Sequence, residues 1–251
     1  MNLEKYIPEL EYNIRNFKLN HFPYSHCETE NFLPKELFKD AIKYFPEDEV
    51  FIPLTDADSV SVKNLEDHPY NNRGCLNIYD DKYLNHIKGE KYIFWKNFRD
   101  LFGTKEIIGS FLGSNPNYLN QRYPHGISNV RFGSRFQIIY DRKDYALGPH
   151  TDHPGKVFTM LIYLSDGPEI DDNVAGTSVY TPIDRSFTCN KGTHYHNKSF
   201  NKVYTAKFKK NNIFAFYRTN NSFHGVEKIK TENFERKLIQ YSIWQGTSQA
   251  A

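Results

Sequence analysis

The rhythm of hydrophobic and polar positions changes about half-way along this chain. In the first half, Leu37, Phe38, Ala41, Ile42 and Phe45 recur at helical spacing and form one apolar face. Pro34 stands at the expected first turn, where its missing N–H costs nothing, and Pro46 ends the run. A second helix is predicted over residues 91–102, stopped by Gly103, and a short third one over 104–112. Residues 55–79 are polar and rich in Asp, Asn and Ser. They read as irregular, with a short strand at 59–62, and fit either a lid or a plain surface excursion.

The second half alternates like a β protein. Residues 135–140, 156–164, 176–181, 203–208, 213–217 and 238–244 are short runs of β-branched and aromatic side chains. Turn formers such as Asp166-Gly167-Pro168 and Asn211-Asn212 separate them, as in a sandwich or barrel. No βαβ alternation and no glycine-rich phosphate loop interrupts this pattern.

Composition adds a few boundaries. Aromatic residues make up 16% of the 251 positions, which favours packed sheets. Thirty-two Lys and Arg oppose 30 Asp and Glu, so the basic stripe of a nucleic-acid binder is not expected. No apolar run is long enough to span a membrane. The opening, MNLEKYIPELEYNI, lacks the apolar core of a signal peptide. Cys27, Cys75 and Cys189 are far apart and form no C-x-x-C pair, as expected for reduced thiols in the cytoplasm.

The candidate chemistry lies in LGPHTDHPGK. In an extended segment His150 and Asp152 point to the same side. His224, in NSFHGVEKI, follows the predicted strand 213–217, and a strand pairing near His150 would bring it to the same point. Two imidazoles and one carboxylate on one face leave the remaining positions of an octahedral metal open, as O2 chemistry on non-haem iron requires. A cupin-like enzyme using another metal, or a jelly-roll binding protein without turnover, would fit the same residues.

With Arg236 following on another predicted strand, the second half resembles the iron(II)/2-oxoglutarate-dependent dioxygenases, in the branch that includes the prolyl hydroxylases. The resemblance rests on His150-x-Asp152, Tyr140 ten residues earlier, Ile162-Tyr163-Leu164, Ala175-Gly176-Thr177, Phe216, Ser222-Phe223-His224-Gly225-Val226 and Arg236. It covers about residues 130–246, with a weaker likeness from residue 22. It implies a mainly β double-stranded β-helix (a jelly roll) behind an N-terminal helical layer. It further implies one domain over residues 1–251, helical to about 125 and catalytic from about 126 to 246.

The resemblance also implies Fe(II) on His150, Asp152 and His224, and 2-oxoglutarate held by Arg236, Tyr163 and Tyr140. With O2, a small-molecule substrate would be hydroxylated as succinate and CO2 leave. Intact Asp152 argues for hydroxylation over halogenation. Strand parity favours Arg236 over Lys237, because Arg236, Leu238, Gln240, Ser242 and Trp244 share one face.

Other residues are read beside these. His153, Arg131, Arg218 and Trp244 are candidate substrate contacts, and the arginines, with Arg135, hint at an anionic substrate. Arg142 reads as a solubilising charge. His194 and His196 have same-face spacing but sit in a polar stretch without a clear third ligand, so a solvated loop is expected. Tyr140 and Tyr163 would equally serve as core aromatics.

Overall fold

The computed structural model describes residues 1–54, 72–164, 175–231 and 234–246. Six helices precede most of the strands: α1 (Ile7–Arg15), α2 (Lys35–Lys43), α3 (Asp81–Leu84), α4 (Gly89–Phe102), α5 (Lys105–Gly113) and α6 (Pro116–Arg122). Pro34 caps α2, one position outside the expected first turn, and the helix buries Leu37, Phe38 and Ala41. Gly103 follows the last residue of α4, as its position predicts. The Thr104 hydroxyl accepts from the Ile107 N–H and starts α5.

Eleven strands follow this order: β1 (His26–Thr29), β2 (Ile52–Pro53), β3 (Arg73–Leu76), β4 (Phe132–Asp141), β5 (Leu147–His150), β6 (Lys156–Tyr163), β7 (Ser178–Pro182), β8 (Phe200–Thr205), β9 (Ile213–Tyr217), β10 (His224–Val226) and β11 (Arg236–Gln245). They form a seven-stranded sheet, β1-β9-β6-β11-β4-β3-β2, and a four-stranded sheet, β5-β10-β7-β8. The pairings are antiparallel, giving the expected jelly roll.

Alternation along the large sheet separates two apolar layers. Phe136, Ile138, Phe158, Met160, Ile162, Ile239, Tyr241 and Ile243 pack outward, in one core with Phe94, Trp95, Phe98, Phe102 and Phe111 of the helices. Ile139, Leu161, Tyr163, Phe214, Phe216 and Leu238 form the second core with Leu147, Val179 and Val226 of the small sheet. Burying each such side chain stabilises by roughly 1.5–3 kcal/mol, so the helical layer holds the sheet's outer face shut. The Trp95 indole N–H donates to the Tyr44 carbonyl at 2.7 Å, which settles the polar edge of the largest buried ring.

Several local expectations change. Residues 73–76 were expected to be irregular but form the fully buried β3. The run expected at 203–208 pairs instead over Phe200–Thr205. β5 and β10 are too short, and too rich in His, Gly and Pro, to show a strand pattern; their pairing with each other creates them. β1, β2 and β3 come from the half read as helical. The expected strand at 59–62 and the turn at 166–168 lie outside the described residues.

Candidate metal centre

His224 lies directly opposite His150 across the β5–β10 pair. Their ring centroids are 4.2 Å apart. The strands approach this closely because residue 225 is glycine: a Cβ there would lie 2.4 Å from the Leu147 carbonyl oxygen. His150 Nδ1 lies 3.0 Å from the Gly148 carbonyl and His224 Nδ1 lies 3.0 Å from the Ser222 carbonyl. A carbonyl can only accept, so each Nδ1 carries the proton and each Nε2 presents a lone pair.

Asp152 follows β5 by two residues. Its oxygens accept from Lys156 Nζ at 3.0 Å and from the Thr159 hydroxyl at 2.6 Å. His150, Asp152 and His224 each offer a ligand atom, and these atoms all lie within 4.8 Å of one another. Burial, then the charges of His224 and His194, pushes His150 well below the usual imidazole range. Burial also lowers His224. Burial alone would raise the Asp152 carboxyl, but Lys156, the two imidazoles and the Thr159 hydroxyl together hold it below the ordinary carboxylate range. Two neutral imidazoles and one carboxylate are the protonation states a divalent metal needs.

One cavity is lined by this triad. Thr159, Leu161, Ile139, Leu147, Val226 and Leu238 line it together with Arg73, Thr177 and Arg236. Arg236 is fully buried. It donates to the Ala175 carbonyl at 2.5 Å, to Asp141 Oδ2 at 2.7 Å and, weakly, to the Thr177 hydroxyl at 3.4 Å. The Tyr163 hydroxyl donates to that same Thr177 oxygen at 2.9 Å and accepts from the Thr177 N–H at 3.1 Å. Arg73 grips Asp141 with two bonds, at 2.6 and 2.7 Å.

The triad and Arg236 thus line one cavity, and Tyr163 is joined to it through Thr177. Lys237 is on the opposite face of β11 and pairs with Glu235 at 2.8 Å. Tyr140 is on that outer side too. Its hydroxyl donates to Glu235 and its ring rests near Phe51, because its neighbour Ile139 takes the inward position on β4.

The remaining candidates divide. His153 stacks on Trp244 with centroids 5.2 Å apart. The Arg135 guanidinium lies 4.2 Å from the Trp244 ring and 5.2 Å from Tyr79. Arg131 is exposed and precedes β4. Arg142 pairs with Asp48 at the surface. Arg218 is buried, and its donors go to the carbonyls of Asp152 and Cys189 and to Asn220. It therefore braces the turn that carries Asp152. His196 is exposed as expected, but half-buried His194 packs against His150 with centroids 4.4 Å apart.

Arg73, Asp141, Tyr145, Lys156 and Thr159 were not anticipated. Thr159 and Lys156 carried a signal, since both lie on the strand just after Asp152. Arg73 carried none, because its neighbours are brought to it by sheet pairing alone.

No family model matches the chain, and no curated protein matches it in sequence. Solved structures do. A prolyl 4-hydroxylase from Phytophthora capsici superimposes with a TM-score of 0.51 at 14% identity, over 99% of this chain and 66% of its own. The fold is that of a prolyl 4-hydroxylase. The chain spans just under two thirds of that structure's length. A prolyl hydroxylase from Trichoplax adhaerens, solved with a hypoxia inducible factor peptide, matches at 13% identity and TM-score 0.47, over 96% of this chain and 90% of its own. A 2OG-Fe(II) oxygenase family oxidoreductase from Burkholderia pseudomallei matches at 14% and 0.47, over 95% and 89%. At these identities the prolyl 4-hydroxylase likeness extends to the fold, and chemistry rests on the residues themselves. Among the described residues no helix is long and apolar enough to cross a membrane.

Proposed function

We propose that this chain is an iron(II)- and 2-oxoglutarate-dependent oxygenase that hydroxylates a small molecule. The observation that carries the reading is the joint lining of one cavity by His150, Asp152 and His224 and by two arginines. The donor set suits a hard-to-borderline divalent ion with open positions, and the arginines suit the distal carboxylate of a 2-oxo diacid. Two guanidinium groups share one aspartate here, so among the described residues a positive charge is left for that carboxylate. When bound, iron(II), 2-oxoglutarate and O2 supply an oxidation of a substrate C–H bond, with succinate and CO2 released.

The protein residues have separate tasks in this reading. His150, Asp152 and His224 hold the metal. Lys156 and Thr159 orient the Asp152 carboxylate. The apolar walls exclude water between the metal and Arg236. Substrate approaches past His153 and Trp244. Arg135 has rings and no carboxylate as partners among the described residues, which favours an anionic substrate. Arg131 and Arg218 fit this task poorly, one standing before the strand and the other committed to backbone carbonyls.

The test is O2-dependent formation of succinate from 2-oxoglutarate by the Fe(II)-loaded protein, followed by mass spectrometry and compared with His224→Ala. Slow substrate-free turnover in the wild type, abolished in the variant, is the expected result. Equal succinate from both proteins would remove the assignment.

A further inference from the structure

We infer that Arg73 is a second carboxylate-binding arginine, which with Arg236 receives the distal carboxylate of a 2-oxo dicarboxylate; this rests on the function proposed above. Arg73, Asp141 and Arg236 occupy one cross-strand row on three adjacent strands, with Arg73 opposite Asp141 and Asp141 opposite Arg236. Both guanidinium groups bond the same carboxylate. Among the described residues it is the one carboxylate bonded to either arginine. Among the described residues, two positive charges against one negative leave a net positive charge at a place where Arg73 is 7% exposed and the other two are fully buried. An uncompensated buried charge is costly, and an incoming anion removes that cost.

The donor inventory agrees. A guanidinium has five N–H donors. Arg73 spends its Nε and Nη2 on Asp141, and among the described residues its Nη1 has no hydrogen-bond partner. Its planar group lies 4.2 Å from the Tyr145 ring, so its orientation is set by stacking as well as by the carboxylate. The Tyr145 hydroxyl is itself buried without a hydrogen-bond partner. One arginine would suffice to neutralise Asp141. A second one, lining the same cavity as the metal triad, supplies the capacity for one more carboxylate.

The experiment measures binding without turnover. Fe(II)-loaded protein is titrated anaerobically, by calorimetry, with 2-oxoglutarate and with 2-oxopentanoate, which has the same chain length and lacks only the distal carboxylate. Arg73→Gln is expected to weaken 2-oxoglutarate binding by roughly 10- to 100-fold and to leave 2-oxopentanoate within about twofold. Arg73→Lys keeps the charge but loses the fork, and falls between. If Arg73→Gln does not fold by circular dichroism, Arg73→Lys alone decides, with a selective loss for 2-oxoglutarate still required. Equal losses for both ligands, or none for either, overturn the inference and leave Arg73 a structural partner of Asp141. Wild type that binds Fe(II) but neither oxo acid overturns the proposed function along with it.

Discussion

His150 and His224 are paired across two short strands, and the glycine beside His224 permits the pairing. A methyl group at 225 would collide with the Leu147 carbonyl oxygen at 2.4 Å, and backbone cannot rotate away as a side chain can. Gly225→Ala is therefore expected to separate the strands. It should cost about 1–3 kcal/mol of stability, as overpacking does, and weaken Fe(II) binding at least tenfold. Thermal unfolding and a chelator-competition titration check both. Unchanged metal affinity would mean that the two imidazoles are not held together by this pairing.

Arg236 and Lys237 are sequence neighbours with opposite surroundings. Arg236→Gln removes one of two cations from buried Asp141 and takes a donor from the Ala175 carbonyl. A loss of about 3 kcal/mol is expected, at the lower end for a broken buried pair because Arg73 stays. Lys237→Gln breaks an ion pair with the half-exposed Glu235 and should cost under about 0.5 kcal/mol. Urea melts of the two variants make the comparison.

Arg218 braces the turn that carries Asp152. Arg218→Ala leaves the buried Cys189 and Asp152 carbonyls without this donor, which should cost about 1–3 kcal/mol. Fe(II) binding should weaken in step with that loss. A variant of full stability would return Arg218 to the substrate side, where the sequence first suggested it.

The thiols give a pH prediction. Burial pushes both Cys27 and Cys75 up to about 12. Neither should react with iodoacetamide at pH 8 while the protein is folded. Burial opposes ionisation of Cys189 as well, but hydrogen bonds from Tyr195, Thr151 and the backbone hold it below its ordinary value, so it should label first. The sign for stability follows from the same shifts. Unfolded thiols ionise near pH 9 and the buried ones do not until about 12, so stability is full below that range and falls as pH rises through it. The buried Tyr24, Tyr145 and Tyr241, all raised well above normal by burial, add to the same alkaline loss. Mass-spectrometric mapping and urea melts between pH 8 and 11 test the two statements.

The long periodic elements were legible in the sequence because their own side chains dictate them. α2 and α4 have apolar faces at helical spacing, and β6, β9 and β11 alternate or run apolar for five residues or more. The His150, Asp152 and His224 grouping was legible because parity and order are written in the chain. Parity also separated Arg236 from Lys237. Tyr140 was placed by the resemblance alone, ten residues before His150; on β4 it is Ile139 that lines the cavity, and the Tyr140 hydroxyl meets Glu235. Arg73 was hidden for a different reason. A lone arginine in a polar stretch has no local pattern, and its meaning comes from lying two strands away from Arg236 with Asp141 between them. Arg218 looked like a free anion site because two of its partners are backbone carbonyls, which no sequence displays.

In the proposed function, one cavity holds a metal on His150, Asp152 and His224 and a 2-oxo acid beside it. The most direct measurement is an anaerobic titration of the metal-free protein with Fe(II) and then 2-oxoglutarate, following the weak visible charge-transfer band of the chelate, with wild type and Asp152→Ala side by side. A band is expected in the wild type and is lost or greatly weakened in the variant, with both proteins folded by circular dichroism. Iron binding in the wild type with no band on adding 2-oxoglutarate would contradict the proposed function.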